Sequence, residues 1–124
     1  MSNGMSPDEY LGGKTREGAA LFRSFAKLVQ ACGDDVVVSM SRTAAHFRRT
    51  YEFASCSVQR RQLEVVINLP RKVEHPRLQR SSLTAEAVYS HTFDVTSTGD
   101  LYAVVDLLKE AYETVGVGKH AGTQ

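Results

Sequence analysis

The sequence predicts a two-layer α+β domain, in which a mostly antiparallel sheet of four to five strands is packed by an N-terminal and a C-terminal helix. Three patterns carry this. Leu63, Val65, Ile67 and Leu69 alternate with Gln62, Glu64 and Asn68, the period-two signature of a half-buried strand. Leu21, Phe22, Phe25, Leu28, Val29 and Cys32 recur three and four apart, and so do Leu101, Val104, Val105, Leu108, Ala111, Tyr112 and Val115. Each of these sets is an apolar helical stripe. At 124 residues and 42% hydrophobic content, the chain fits a single domain over 1–124, with an ordered core over about 9–116 and flexible tails; about two-thirds of its surface is buried on folding.

In chain order, Ser6-Pro7-Asp8-Glu9 suits a helical start with Ser6 as cap and Pro7 in the first turn, and Gly12-Gly13 suits its stop. Tyr10 and Leu11 then pack as a flap. The first long helix runs from Thr15, a natural N-cap, to Cys32, with Gly33 as a left-handed terminator. Val36 to Met40 is short and β-branched and reads as a strand. Residues 41–47 fit a helical turn and an extended segment equally well. Two strands, 50–58 and Gln62–Leu69, form a hairpin whose Gln59-Arg60-Arg61 connection lacks glycine, so a loop of three to five residues is expected rather than a tight primed turn. In the first strand Tyr51, Phe53, Ser55 and Ser57 share one face, and Glu52, Ala54, Cys56 and Val58 the other. Pro70 ends the second. Residues 71–84 read as a long polar loop. From 87 to 95 the alternation returns, with Tyr89, His91, Phe93 and Val95 on one face. The last helix spans 100–115, with Ser97 as cap and Gly116 as its end, and 117–124 fray.

Net charge is +1, but Arg42 to Arg80 holds nine basic residues against three acids, and the chain from Ser81 onward holds two lysines against six acids. Eight of the nine are arginine, suited to bidentate contact with phosphate or carboxylate. Two readings follow: a solvated basic face paired internally with the acidic C-terminal helix, or an anion-binding surface. Tyr51, Phe53 and Phe47 are available for stacking only if exposed.

Several chemistries are absent from the pattern. His46, His75, His91 and His120 have no partner at metal-ligand spacing, no Cys-x-x-Cys occurs, and no metal or cofactor is expected. Gly-Gly-Lys-Thr at 12–15 lacks the first glycine of a phosphate loop, since Asp8 stands there. Neither Asp-x-Lys nor Glu-x-Lys occurs, against a restriction-type nuclease, and no Gly-x-Ser-x-Gly elbow is present. No run of about 18 apolar residues and no signal-type N-terminus is found, so no membrane partner and a cytoplasmic location are expected. Cys32 and Cys56 fit buried apolar groups rather than a disulfide or nucleophile.

Tyr10-Leu11-Gly12-Gly13-Lys14, Leu21-Phe22 to Ala31-Cys32-Gly33, Ala45-His46-Phe47-Arg48-Arg49, Phe53-Ala54, Leu63 to Pro70, His75-Pro76-Arg77, and Asp100-Leu101 to Glu110-Ala111-Tyr112-Glu113 together resemble the domain-of-unknown-function 5655 family of bacteria and archaea. The resemblance covers roughly 9–116 and implies a small stand-alone or accessory domain with no established activity and no catalytic residues to carry over.

The expectation is therefore a non-enzymatic binding module holding nucleic acid or an acidic protein through Arg42, His46, Arg48, Arg49, Arg60, Arg61, His75 and Arg77. Two alternatives stand beside it. One is a small hydrolase or transferase whose pocket gathers His46, His75, His91 and nearby arginines; the other is a homodimer formed through an exposed sheet edge or apolar face.

Overall fold

The computed structural model describes residues 6–85 and 87–118. In them a six-stranded antiparallel sheet is ordered β1-β2-β3-β4-β6-β5: β1 Val37–Met40, β2 Ala45–Arg48, β3 Glu52–Gln59, β4 Gln62–Leu69, β5 Leu78–Ala85 and β6 Val88–Val95. Four helices accompany it: α1 Pro7–Leu11, α2 Arg16–Gln30, α3 Thr98–Ala103 and α4 Val105–Glu113, followed by a 3₁₀ turn at Val115–Val117. The fold is α+β, with six strands rather than four to five. The expected fraying of 117–124 falls mostly outside the described residues.

Register decides which face is core. Ala45, Cys56, Val65 and Phe93 stand in one cross-strand row, all buried, and α2 and α4 pack over β3 and β4 on that side. The next row, His46, Ser55, Val66 and Thr92, points the other way. Among the described residues no helix packs over this outer face, which is mostly polar.

Three expectations are corrected and one open segment is resolved. Residues 78–85 are the edge strand β5, not loop; Leu78-Gln-Arg-Ser-Ser-Leu-Thr-Ala shows little alternation because an edge strand over which neither long helix packs has little apolar contact to specify. The 41–49 segment resolves into the β1–β2 turn and β2. Register shifts by one residue where Phe47 faces Ala54 and Arg48 faces Glu52, so the bulge turns Phe53 into the core beside Ala54, against the simple alternation. The C-terminal helix breaks at Val104, whose φ of −110° and ψ of 6° leave the helical region. Its stripe, Leu101, Val104, Leu108, Ala111 and Val115, is nevertheless buried throughout.

Of the expected glycine stops, Gly12 caps α1, whereas Gly33 and Gly116 act otherwise, since α2 is closed by Ala31 and α4 by Thr114. The left-handed glycine among the described residues is Gly118, at φ 80°. Gly33 is small because a Cβ there would strike the Tyr112 ring. At the N-terminus the expected cap is a full capping box: Ser6 Oγ accepts from Glu9 N–H, and the Glu9 carboxylate accepts from Ser6 N–H. Tyr10 then fixes α1 to the sheet. Its hydroxyl accepts the Val58 N–H (2.9 Å) left unpaired beyond the end of β2 and donates to the Thr43 carbonyl (3.3 Å).

Candidate functional site

Antiparallel strands put consecutive connections at alternate ends of a sheet. The β1–β2 and β3–β4 turns, the start of α2 and the end of β6 therefore share one end, while Arg48, Arg49, Arg71 and Lys72 lie at the other. Eight-residue strands separate the two ends by roughly 25 Å. The basic centre of the sequence is thus split, and its halves are used differently.

At the far end the arginines are struts. Arg49 Nε meets Asp35 Oδ2 at 2.8 Å, its Nη1 donates to the Tyr112 carbonyl (3.1 Å), and its guanidinium lies 3.9 Å over the Tyr112 ring. Tyr112 closes the knot by donating its hydroxyl to Asp35 Oδ1 at 2.6 Å. These two bonds hold the Asp35 carboxyl below its usual range, Tyr112's first. Arg71 forks onto Glu110 at 2.7 and 2.9 Å, tying the end of β4 to α4 and keeping the Glu110 carboxyl low. Arg48 donates to the Arg49 carbonyl. Arg80, on β5, stands 4.0 Å from Glu64. Arg77 lies toward the opposite, β3–β4 turn end, where Asp94 pairs with Glu64, and is tied there as well: it reaches Asp100 and the Asp94 carbonyl, so it locks the β5 entry to α3; the Thr96 amide and hydroxyl and this guanidinium together keep Asp100 ionised to low pH.

At the turn end the arginines are presented. Gln59 pairs with Gln62, so Arg60 and Arg61 make a two-residue turn, tighter than the loop the sequence suggests. The geometry requires φ 50° at Arg60, a left-handed backbone at a residue with a Cβ. The turn is held from below. Thr15, the N-cap of α2, donates its hydroxyl to the Arg60 carbonyl, and Gly18 approaches so closely that a Cβ would meet that carbonyl at 2.9 Å. Between them opens a cleft of about 730 Å³ lined by Thr15, Gln59, Arg60, Arg61, Gln62 and Thr96. Arg42 lies on the β1–β2 turn at the same end, two strand spacings or about 10 Å away. Among the described residues none of Arg42, Arg60 and Arg61 makes an ion pair.

The family model of a domain of unknown function, DUF5655, matches residues 8–115 of the 124. The chain belongs to the DUF5655 family. Comparisons with curated proteins and with solved structures found no match. The family description assigns no activity, so the chemistry of this DUF5655 domain rests on its own side chains.

Among the described residues the histidines do not converge, and His120 lies outside them. His46 lies on the outer face, 3.1 Å from Glu52, while His91 is in the core face and His75 beside Phe93 on the same side. His91 is a structural tie. Its Nε2 accepts the Val73 N–H (3.1 Å), so Nδ1 carries the proton toward the Ile67 carbonyl (3.3 Å), and burial pushes its pKa down. His75 works alike: Nδ1 accepts the Arg77 N–H and Nε2–H donates to the Ala103 carbonyl. Both rings fasten the Pro70–Arg77 segment with both nitrogens used, which leaves neither free as a base. No group of three His, Cys, Asp or Glu among the described residues is arranged to hold a metal. Cys32 and Cys56 are free thiols, and burial raises both pKa values. No helix among the described residues is long and apolar enough to cross a membrane.

Of the expected binding residues, Arg42, Arg60 and Arg61 share an end and are unpaired, whereas Arg48, Arg49, His75 and Arg77 are engaged and His46 faces elsewhere. Thr15, Gln59, Gln62 and Thr96 join the site by folding alone. Only the N-cap role of Thr15 is visible in the sequence.

Proposed function

We propose that this DUF5655 domain is a non-enzymatic binding module that holds a nucleic-acid backbone at the turn end of its sheet. One observation carries the reading. Arg60 and Arg61 occupy a tight turn in which glycine would suit the Arg60 position better, with no acid to pair, in a molecule that ties Arg49, Arg71 and Arg77 to carboxylates. A locally unfavourable residue with no structural return points to function. The amides of Gln59 and Gln62 beside them offer neutral donors to phosphate oxygens, while the Thr15 and Thr96 hydroxyls are already given to the Arg60 carbonyl and to Asp100. No aromatic lines the cleft, so base stacking has no platform and the contact is to the backbone, without sequence preference.

The test is titration of a fluorescent DNA duplex across a salt series. Contacts from Arg42, Arg60 and Arg61 give a slope of about −2.7 in log affinity against log salt, and Arg60→Ala/Arg61→Ala brings it to about −0.9. Binding that ignores salt, or that the double substitution leaves unchanged, removes the reading. Retention of acidic protein but not of duplex or single-stranded nucleic acid replaces it with the protein-partner alternative.

A second reading is self-association through β5. This eight-residue strand is an open sheet edge with Leu83 62% exposed. Light scattering that finds a monomer at high concentration rules it out.

A further inference from the structure

The two long helices cover β3 and β4, so the core-facing side of β1 and β2 extends past α2 with only the short α1 beside it. The result is an apolar groove of about 470 Å³ whose floor is Leu11, Phe22, Ala26, Val38 and Phe47. Phe47 at its base is fully buried and belongs to the main core. The volume is that of a small-molecule site and too small for a partner helix. Its rim is charged on both walls. Arg23 and Lys27 stand four apart on α2, with no ion pair among the described residues; Asp8 stands on the α1 side. Two like charges at that helical spacing repel. An anionic head between them relieves this, while the floor takes an apolar body.

We propose that this groove binds a small amphiphilic carboxylate, a free medium-chain fatty acid. The chain lies along Phe22, Val38 and Phe47, and the carboxylate is held by Arg23 and Lys27 away from Asp8. The site is separate from the arginine turn and does not depend on its function. It also gives the α1 flap a use: the five-residue helix, ended by Gly12 and latched through the Tyr10 hydroxyl, is a wall over the ligand rather than a contributor to the sheet.

The experiment compares decanoate, decanol and decylamine, equal chains with different heads, by calorimetry and by amide chemical shifts on the full chain, below micelle formation. Decanoate binds, decanol binds about tenfold more weakly and decylamine weaker still. Shifts gather on α1, α2 and β1. Arg23→Gln/Lys27→Gln removes the preference for decanoate over decanol but keeps chain binding, and Asp8→Asn tightens decanoate about twofold. Ala26→Trp, at a half-exposed helix position, fills the groove and abolishes binding of all three. If that variant unfolds, Val38→Trp on β1 repeats the test from the opposite wall. The proposal is overturned if decanoate does not bind at millimolar concentration, if decylamine binds equally, if shifts centre on Arg60 and Thr15, or if binding survives both filling substitutions in a folded protein.

Discussion

The Arg49 knot and the Arg60–Arg61 turn, at opposite ends of the sheet, use arginine in opposite ways. At the Arg49 end one guanidinium serves Asp35, the Tyr112 carbonyl and the Tyr112 ring at once, and its flat fork is what lets it bond in plane and stack out of plane. At the Arg60–Arg61 turn two guanidinia have no internal partner, and the backbone at Arg60 is strained. The knot spends its charges on geometry; the turn leaves them available. A count of basic residues therefore overstates the binding surface, because a guanidinium already holding a carboxylate and a carbonyl has few donors left to offer.

The largest expected effect breaks the structural end. Arg49→Ala leaves the Tyr112 carbonyl without its charged donor and opens space beside Gly116, against which the Arg49 stem packs. A loss of about 2 kcal/mol is expected in urea unfolding, mostly from that half-buried bond and the stem, since the exposed Asp35 pair adds little. Duplex binding by the folded fraction is unchanged, and a comparable loss of binding would mean that the two ends are not separate. Next comes Gly18→Ala, whose Cβ collides with the Val58 side chain and the Arg60 carbonyl. Either α2 or the turn must shift, at about 1–2 kcal/mol. Because the shift moves the turn, affinity for duplex falls too, which links support and site in a single variant. Melting temperature and the salt-series titration read the two effects.

Acid tests the ties between the ends. The folded His91 pKa lies below that of the unfolded chain, so the unfolded state takes up a proton first as pH falls. Stability is then lost from about pH 6.5 downward until the folded ring titrates. Asp35, Asp100 and Glu110 have lowered pKa values, so their contribution is complete above the ordinary carboxylate range and disappears below it. Urea midpoints between pH 8 and 3 should fall in two stages, and His91→Gln should flatten the first. A flat profile between pH 7 and 5 in the unsubstituted chain would show that His91 does not fasten the Val73 segment.

The apolar stripes and the alternation of β4 and β6 are legible in the sequence because burial writes directly into spacing; Phe25, Leu108 and Ile67 each sit where periodicity puts them. β5 is not legible. Arg80, Ser82 and Thr84 are exposed, so nothing selects an apolar face there. The Phe53 bulge hides for another reason: two adjacent residues face the core, which period two cannot express. Within the candidate site, Arg60 and Arg61 are visible as the hinge of a hairpin. Their freedom is not visible, because it depends on where Asp35, Asp100 and Glu110 fold, and these acids lie 14 to 39 residues from the arginines they occupy.

The smallest expected effect is also the sharpest test of the contrast. Arg60→Ala and Arg60→Gly remove the same charge and keep the same backbone carbonyl for Thr15, but only glycine adopts φ 50° without a Cβ penalty. The glycine variant should be about 1 kcal/mol more stable than the alanine variant. It should also be more stable than the unsubstituted chain by a similar or slightly smaller margin, since Arg60 has no ion pair to lose. Both should lower the duplex salt slope by about 0.9. Stability rising while affinity falls is the behaviour of a residue kept for binding at the expense of the fold. If Arg60→Gly is instead less stable than Arg60→Ala, the turn is not strained at Arg60, and the argument that its arginine is retained for a ligand loses its basis.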